Sequence, residues 1–103
     1  MQPWVIPQLS RILGADEVTP LGLTPGTEAT PEQLAALSRL IDRRIDQFAI
    51  AMLEEAAASD DVTDPASANA YLDDRLNFFS DVLTPGQREA IRESFARQVE
   101  HWT

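Results

Sequence analysis

Residues 30–58 read TPEQLAALSRLIDRRIDQFAIAMLEEAAA, and this stretch decides the fold. Thr30-Pro31-Glu32-Gln33 is a helix start. Thr30 offers an N-cap oxygen, Pro31 suits the first helical position, and Gln33 stands where a capping box needs it. Apolar residues then recur at Leu34, Leu37, Ile41, Ile45, Phe48 and Met52, in steps of 3, 4, 4, 3 and 4. That spacing lays them along one helical face. Leu40, Ala49 and Leu53 widen the face. The pattern predicts one helix over residues 31–58, about 42 Å long at the α-helical rise.

Outward from it, the same grammar repeats. Ser59 to Asp64 is an acidic break, and Asp64-Pro65 restarts a helix expected over 65–83. Its core residues are Tyr71, Leu72, Leu76, Phe79, Val82 and Leu83. Thr84-Pro85-Gly86-Gln87 is a second cap, and a helix over 85–102 follows with Ile91, Phe95, Val99 and Trp102 on one face. Near the N-terminus, Val5, Leu9, Ile12 and Leu13 share a face. They predict a short helix over 7–13, with Pro7 opening it and Gly14 just past its end. A helix that short does not persist alone in water, so it must pack on something. Residues 14–30, with Pro20, Gly22, Pro25 and Gly26, read as a loop. No run alternates with the period of a strand. The expected fold is all-α, a small helical bundle in one domain over residues 1–103.

The chain has 103 residues, 44% apolar and 24% charged, the composition of a soluble globular domain. No uncharged run is long enough to span a bilayer, so no membrane insertion is expected. There is no Cys, which excludes disulfides and Cys-based zinc sites, and His101 is the single histidine. The four glycines are scattered, so there is no phosphate-cradling loop. No carboxylate falls inside an apolar stripe, where general acid–base chemistry would need one. No catalytic residue, cofactor or metal is therefore expected, and the chain reads as a non-enzyme. Seventeen acids against eight bases give a net charge of −9. That charge repels phosphate backbones and anionic membranes, so nucleic acid is not an expected partner. The cluster of Glu54, Glu55, Asp60, Asp61 and Asp64 lacks the glycine of a calcium loop and reads as a solvated helix end. Met1 to Pro7 has neither a basic region nor an apolar run. The expected compartment is cytoplasmic if Met1 is the native start, and periplasmic if an export signal was removed.

Leu83-Thr84-Pro85-Gly86-Gln87 fits the pattern LTxxQ, with Phe79 and Val82 before it and an Arg/Glu-rich helix after it. In this it resembles the Spy/CpxP family of small helical periplasmic proteins. Thr30-Pro31-Glu32-Gln33 stands where that family's first such motif would open a long helix, although Ala29 replaces the leucine. The resemblance implies a helical chaperone or envelope-stress regulator. The family's metal-sensing branch uses His ligands, and His101 alone does not supply them.

The leading functional expectation comes from the stripe itself. Three helices of this size leave apolar surface uncovered near the N-terminal half of 31–58. The chain is therefore expected to bind another protein or itself, through Trp4, Leu34, Leu37, Ile41, Ile45 and Phe48. A two-fold homodimer is the simplest way to cover such a face. Beside this stand the Spy/CpxP-like chaperone and an acidic inhibitor of a basic partner, such as an antitoxin, an immunity protein or a nucleic-acid mimic.

Overall fold

The computed structural model describes residues 5–23 and 28–101, and these form helices joined by short irregular segments, with no strand among them. The helices are α1 (Val5–Leu13), α2 (Ala15–Val18), α3 (Pro31–Arg43), α4 (Ile45–Ala57), α5 (Pro65–Phe78) and α6 (Pro85–Glu100). A single 3₁₀ turn, Thr19–Leu21, follows α2.

The expected long helix is two. Arg44, at φ −123° and ψ 28°, leaves the helical region and separates α3 from α4. Its N–H bonds to the Ile41 carbonyl, the tighter 3₁₀ pattern, and the regular ladder resumes at Phe48 on Arg44. No proline or glycine causes this interruption. The residues around it are instead gripped by neighbouring elements. The Arg44 guanidinium meets Glu17 at 2.8 Å, and Gln47 donates to the Ile12 carbonyl. On the other side, Asp42 accepts from Gln87 and Asp46 from Ser94. Tertiary bonds have overridden local propensity. The two helices still run end to end. Their combined rise of about 40 Å matches the 41 Å long axis of the molecule.

The other ends also move. α5 stops at Phe78 rather than at 83, because Phe79 leaves the helix to enter the core. There its ring meets Phe48 edge-on, with centroids 5.4 Å apart. Residues 79–84 then turn the chain for Pro85. α6 ends at Glu100, and Trp102 lies outside the described residues. α1 starts at Val5, which puts Pro7 inside the first turn, where its missing N–H costs no helical bond.

The expected loop over 14–30 holds α2 and the 3₁₀ turn. Gly14 (φ 96°) separates α1 from α2, and Gly22 (φ 75°) ends the turn, both in backbone conformations that side chains disfavour. Residues 5–23 therefore form a strap. Along it, Arg11 meets Glu55, Ile12 meets Gln47, Glu17 meets Arg44, and Gly22 meets Gln33. The strap thus runs antiparallel down the full length of α4 and α3. α6 lies parallel to the same pair, with Gln87 against Ser38 and Asp42, and Ser94 against Asp46. α5 packs antiparallel to α6, Asn77 facing Arg88 and Asp73 facing Arg92.

All three expected caps form as reciprocal boxes, at Thr30, Asp64 and Thr84. The two glutamines do more than close their boxes. Gln33 Oε1 accepts from the Thr30 N–H while its Nε2 donates to the Gly22 carbonyl. Gln87 Oε1 accepts from the Thr84 N–H while its Nε2 donates to the Ser38 carbonyl, Ser38 Oγ and Asp42 Oδ1. Each amide caps its own helix with one end and fastens a distant segment with the other. A glutamate could do only the first.

Gln87 is buried and Gln33 is partly exposed, so the same change separates them. Gln87→Glu forces a carboxylate against the Ser38 carbonyl and Asp42, and urea melts should show a loss of about 3 kcal/mol. Gln33→Glu loses one exposed hydrogen bond and should cost about 1 kcal/mol or less. Equal costs would mean that the remote bond of Gln87 contributes nothing.

Asp64 gives the chain a pH-dependent cap. The Ser67 backbone N–H and then the Ser67 hydroxyl stabilise its charged form, outweighing slight desolvation, and hold its pKa below the ordinary 3.8. A lowered acid stabilises the fold above its unfolded pKa, and that contribution disappears as pH falls through the folded value. The Ser67 amide resonance should therefore titrate below pH 3.8. In Asp64→Asn, the uncharged amide should abolish that transition.

Candidate functional site

The expected partner face divides once it is folded. Leu37, Ile41 and Phe48 are 0–1% exposed, and Met52 is equally buried. Val18 and Leu13 of the strap, Ile91 and Phe95 of α6, and Leu72 and Leu76 of α5 belong to the same core. The surface that was expected to need a second molecule is filled within one chain. The strap was the missing cover, because it extends through α2 and the 3₁₀ turn instead of stopping at residue 13. Ile45 is half-buried against this core. Of the five that are described, Leu34 alone remains substantially exposed, at 38%. Trp4 lies outside the described residues.

Leu34 stands at the mouth of a cleft between the first turns of α3 and the 79–84 turn. Leu34, Leu37, Val82 and Leu83 form its apolar walls, and Ser38, Asp81 and Thr84 its polar rim. The cleft measures about 210 Å³ and is open to solvent. Pockets that enclose a small molecule generally run from about 300 to 1,000 Å³, so this one suits a protruding side chain. Its floor and one wall come from the two capped helix starts, α3 and the Leu83-Thr84 approach to α6. The sequence marked both starts but gave no sign that they are neighbours. The bonds from Gln87 to Ser38 and Asp42 tie them together.

A polar junction lies on the far side of the bundle. Arg75, on α5, donates through Nε to Glu55 at 3.3 Å and through an NH2 group to Gln8 at 2.9 Å. Its guanidinium also lies 5.2 Å from the Phe78 ring centroid and 5.7 Å from that of Phe79. Arg11 meets both Gln8 and Glu55. Arg75 thus ties α1, α4 and α5, with its charge answered by Glu55 and its plane by two rings. Tyr71 is close enough for burial, and then the Glu55 carboxylate, to raise its pKa, while Arg75 and Arg11 oppose the shift. Sequence periodicity did not single out Arg75.

Two other apolar side chains face water, Ile50 at 41% and Phe78 at 50%. Among the described residues no group of three or more His, Asp or Glu is placed to hold a metal ion. No described helix is long and apolar enough to cross a membrane. No family model matches the chain, and no curated protein or solved structure matches it either.

The division of the stripe has a measurable consequence. Phe48→Ala empties the centre of the core and should cost about 3–5 kcal/mol in denaturant melts. Leu34→Asp should change stability by about 0.5 kcal/mol or less, as a surface substitution. A large loss at Leu34 would place that side chain in the core.

Proposed function

We propose that this chain is a non-enzymatic, acidic helical protein that works by binding another protein. The observation that carries the reading is the Leu34 cleft. It is apolar-walled, polar-rimmed, too small for a typical cofactor, and built on two rigid helix starts. Side-chain anchors in such pockets supply most of the energy of a protein interface. The surface around the bundle supports the same reading. Arg11, Arg44, Arg75, Arg92 and Arg97 are used in internal ion pairs. The excess carboxylates, among them Glu28, Glu32, Asp60, Asp61, Asp74 and Asp81, face solvent. A partner reaching the cleft past Asp81 and Glu32 would bring apolar side chains within a basic surround. The LTxxQ resemblance agrees with a binding role, because Leu83 and Thr84 line the cleft.

A photo-crosslinking residue in place of Leu34 tests this in cells. It should yield a discrete adduct, and the same residue in place of exposed Ala70, on α5, should not. The adduct mass names the partner class, since twice the 11.4 kDa chain would mean a second copy. No adduct, or equal labelling at both positions, would overturn the reading.

A further inference from the structure

The outward face of α3 and α4 lies between the strap on one side and α6 on the other, and neither covers it. Gln47 reaches the strap at the Ile12 carbonyl, and Asp46 reaches α6 at Ser94 and Arg97. Between these seams stand Arg43, Gln47, Ile50 and Glu54, all exposed. They are spaced by 4, 3 and 4 residues, which sets them in one line along the helix. The two charges at the ends of this line are unspent. Asp46, three residues on, is the helical partner open to Arg43, but α6 takes its carboxylate through Ser94 at 2.7 Å and Arg97 at 3.8 Å. Arg11 and Arg75 both go to Glu55 and pass over Glu54. Neither Arg43 nor Glu54 has an ion pair among the described residues.

Two open concavities lie on either side of Ile50 along α4. Arg43, Ile45 and Gln47 border one of about 290 Å³, at the interruption between α3 and α4. Ile12, Ala51, Glu54 and Ala58 border the other, of about 360 Å³, in the seam between α1 and α4. The small side chains keep this surface low, so a second helix can approach α4 closely. Charge then selects the occupant. A uniformly basic partner would confront Arg43, and a uniformly acidic one would confront Glu54. The face instead matches an antiparallel helix with an acid at one end, a base at the other and a modest apolar residue between them. α4 itself presents that helix, because the spacing 4, 3, 4 is the same in both directions.

We propose that a second copy of the chain docks antiparallel on the outward face of α4, held by reciprocal Arg43–Glu54 pairs about Ile50. A two-fold axis midway between Gln47 and Ile50 sets Arg43 of each copy opposite Glu54 of the other, and Ile50 opposite Gln47, beside the first concavity. In the same register Asp46 falls opposite Ala51 and Arg39 opposite Ala58, so no like charges meet. This face shares no residue with the Leu34 cleft. The proposal therefore goes beyond the reading above and does not rest on it.

Sedimentation of the full chain at high micromolar concentration tests this, at physiological ionic strength, where repulsion between the two acidic copies is screened beyond about 8 Å. The unaltered chain should sediment at twice 11.4 kDa. Arg43→Glu puts like charges at both ends of the interface, and so does Glu54→Arg. Each alone should weaken dimerisation by about tenfold or more. The double variant Arg43→Glu/Glu54→Arg rebuilds both pairs and should dimerise like the unaltered chain. An equal mixture of the two single variants should also recover the dimer, as a heterodimer, because each supplies the charge that the other lacks. Unchanged helicity by circular dichroism separates lost docking from lost folding. A monomeric unaltered chain, single variants that dimerise undiminished, or a mixture and double variant that stay monomeric would each overturn the proposal. Crosslinking from Leu34 to a different protein would survive all three results, so the two readings fail separately.

Discussion

The apolar face that runs from Leu37 through Ile41 and Phe48 to Met52 extends nearly the length of the molecule, and all of it must leave water. Burying each of those side chains is worth about 1.5–3 kcal/mol, so an uncovered end would dominate the stability of so small a domain. A hairpin of α4 and α5 covers only the C-terminal part. The chain solves the remainder with two long elements laid beside the same pair, α6 parallel to it and the strap antiparallel to it. Every later feature follows from this requirement. α5 has to end early enough for α6 to begin beside α3, and residues 14–23 have to be helical enough to bring Val18 into the core.

Polar bonds then choose one arrangement among the many that would cover apolar surface equally well. Gln87 and Ser94 are buried polar side chains on α6, and their acceptors lie on α3, at Ser38 and Asp42, and on α4, at Asp46. Sliding α6 by one turn would strand both, and an unpaired buried polar group costs about 1–3 kcal/mol. The same acceptors border Arg44. The interruption between α3 and α4 therefore belongs to the packing of three elements on one segment, which explains why it falls where no helix-breaking residue occurs.

Local rules were legible in the sequence, and longer-range ones were not. Thr30, Asp64 and Thr84 cap because capping chemistry is contained within four residues. The apolar stripe was legible because periodicity is local too. Whether that stripe would face the same chain or another depended on residues 14–23, whose two glycines and Pro20 read as loop. Their helical turns are set by Gly14, Gly22 and the contacts of Val18, which no spacing displays. The cleft was half legible. Leu34 stood out as the first stripe residue, but Val82 was assigned to a helix, and its position opposite Leu34 depends on the turn after Phe79. The second role of each capping glutamine was hidden because its partner lies 11 residues away in one case and 49 in the other.

The order of the helices along the chain also bears on how the fold is reached. α4, α5 and α6 are joined by short turns, so each can zip onto its predecessor without closing a large loop. The strap gains its contacts only after the surface it covers exists, since its partners Glu55 and Arg75 sit on two different helices. On that ordering, substitutions at Leu9 or Ile12 would act chiefly on the unfolding rate, and those at Phe48 or Phe95 on the folding rate as well.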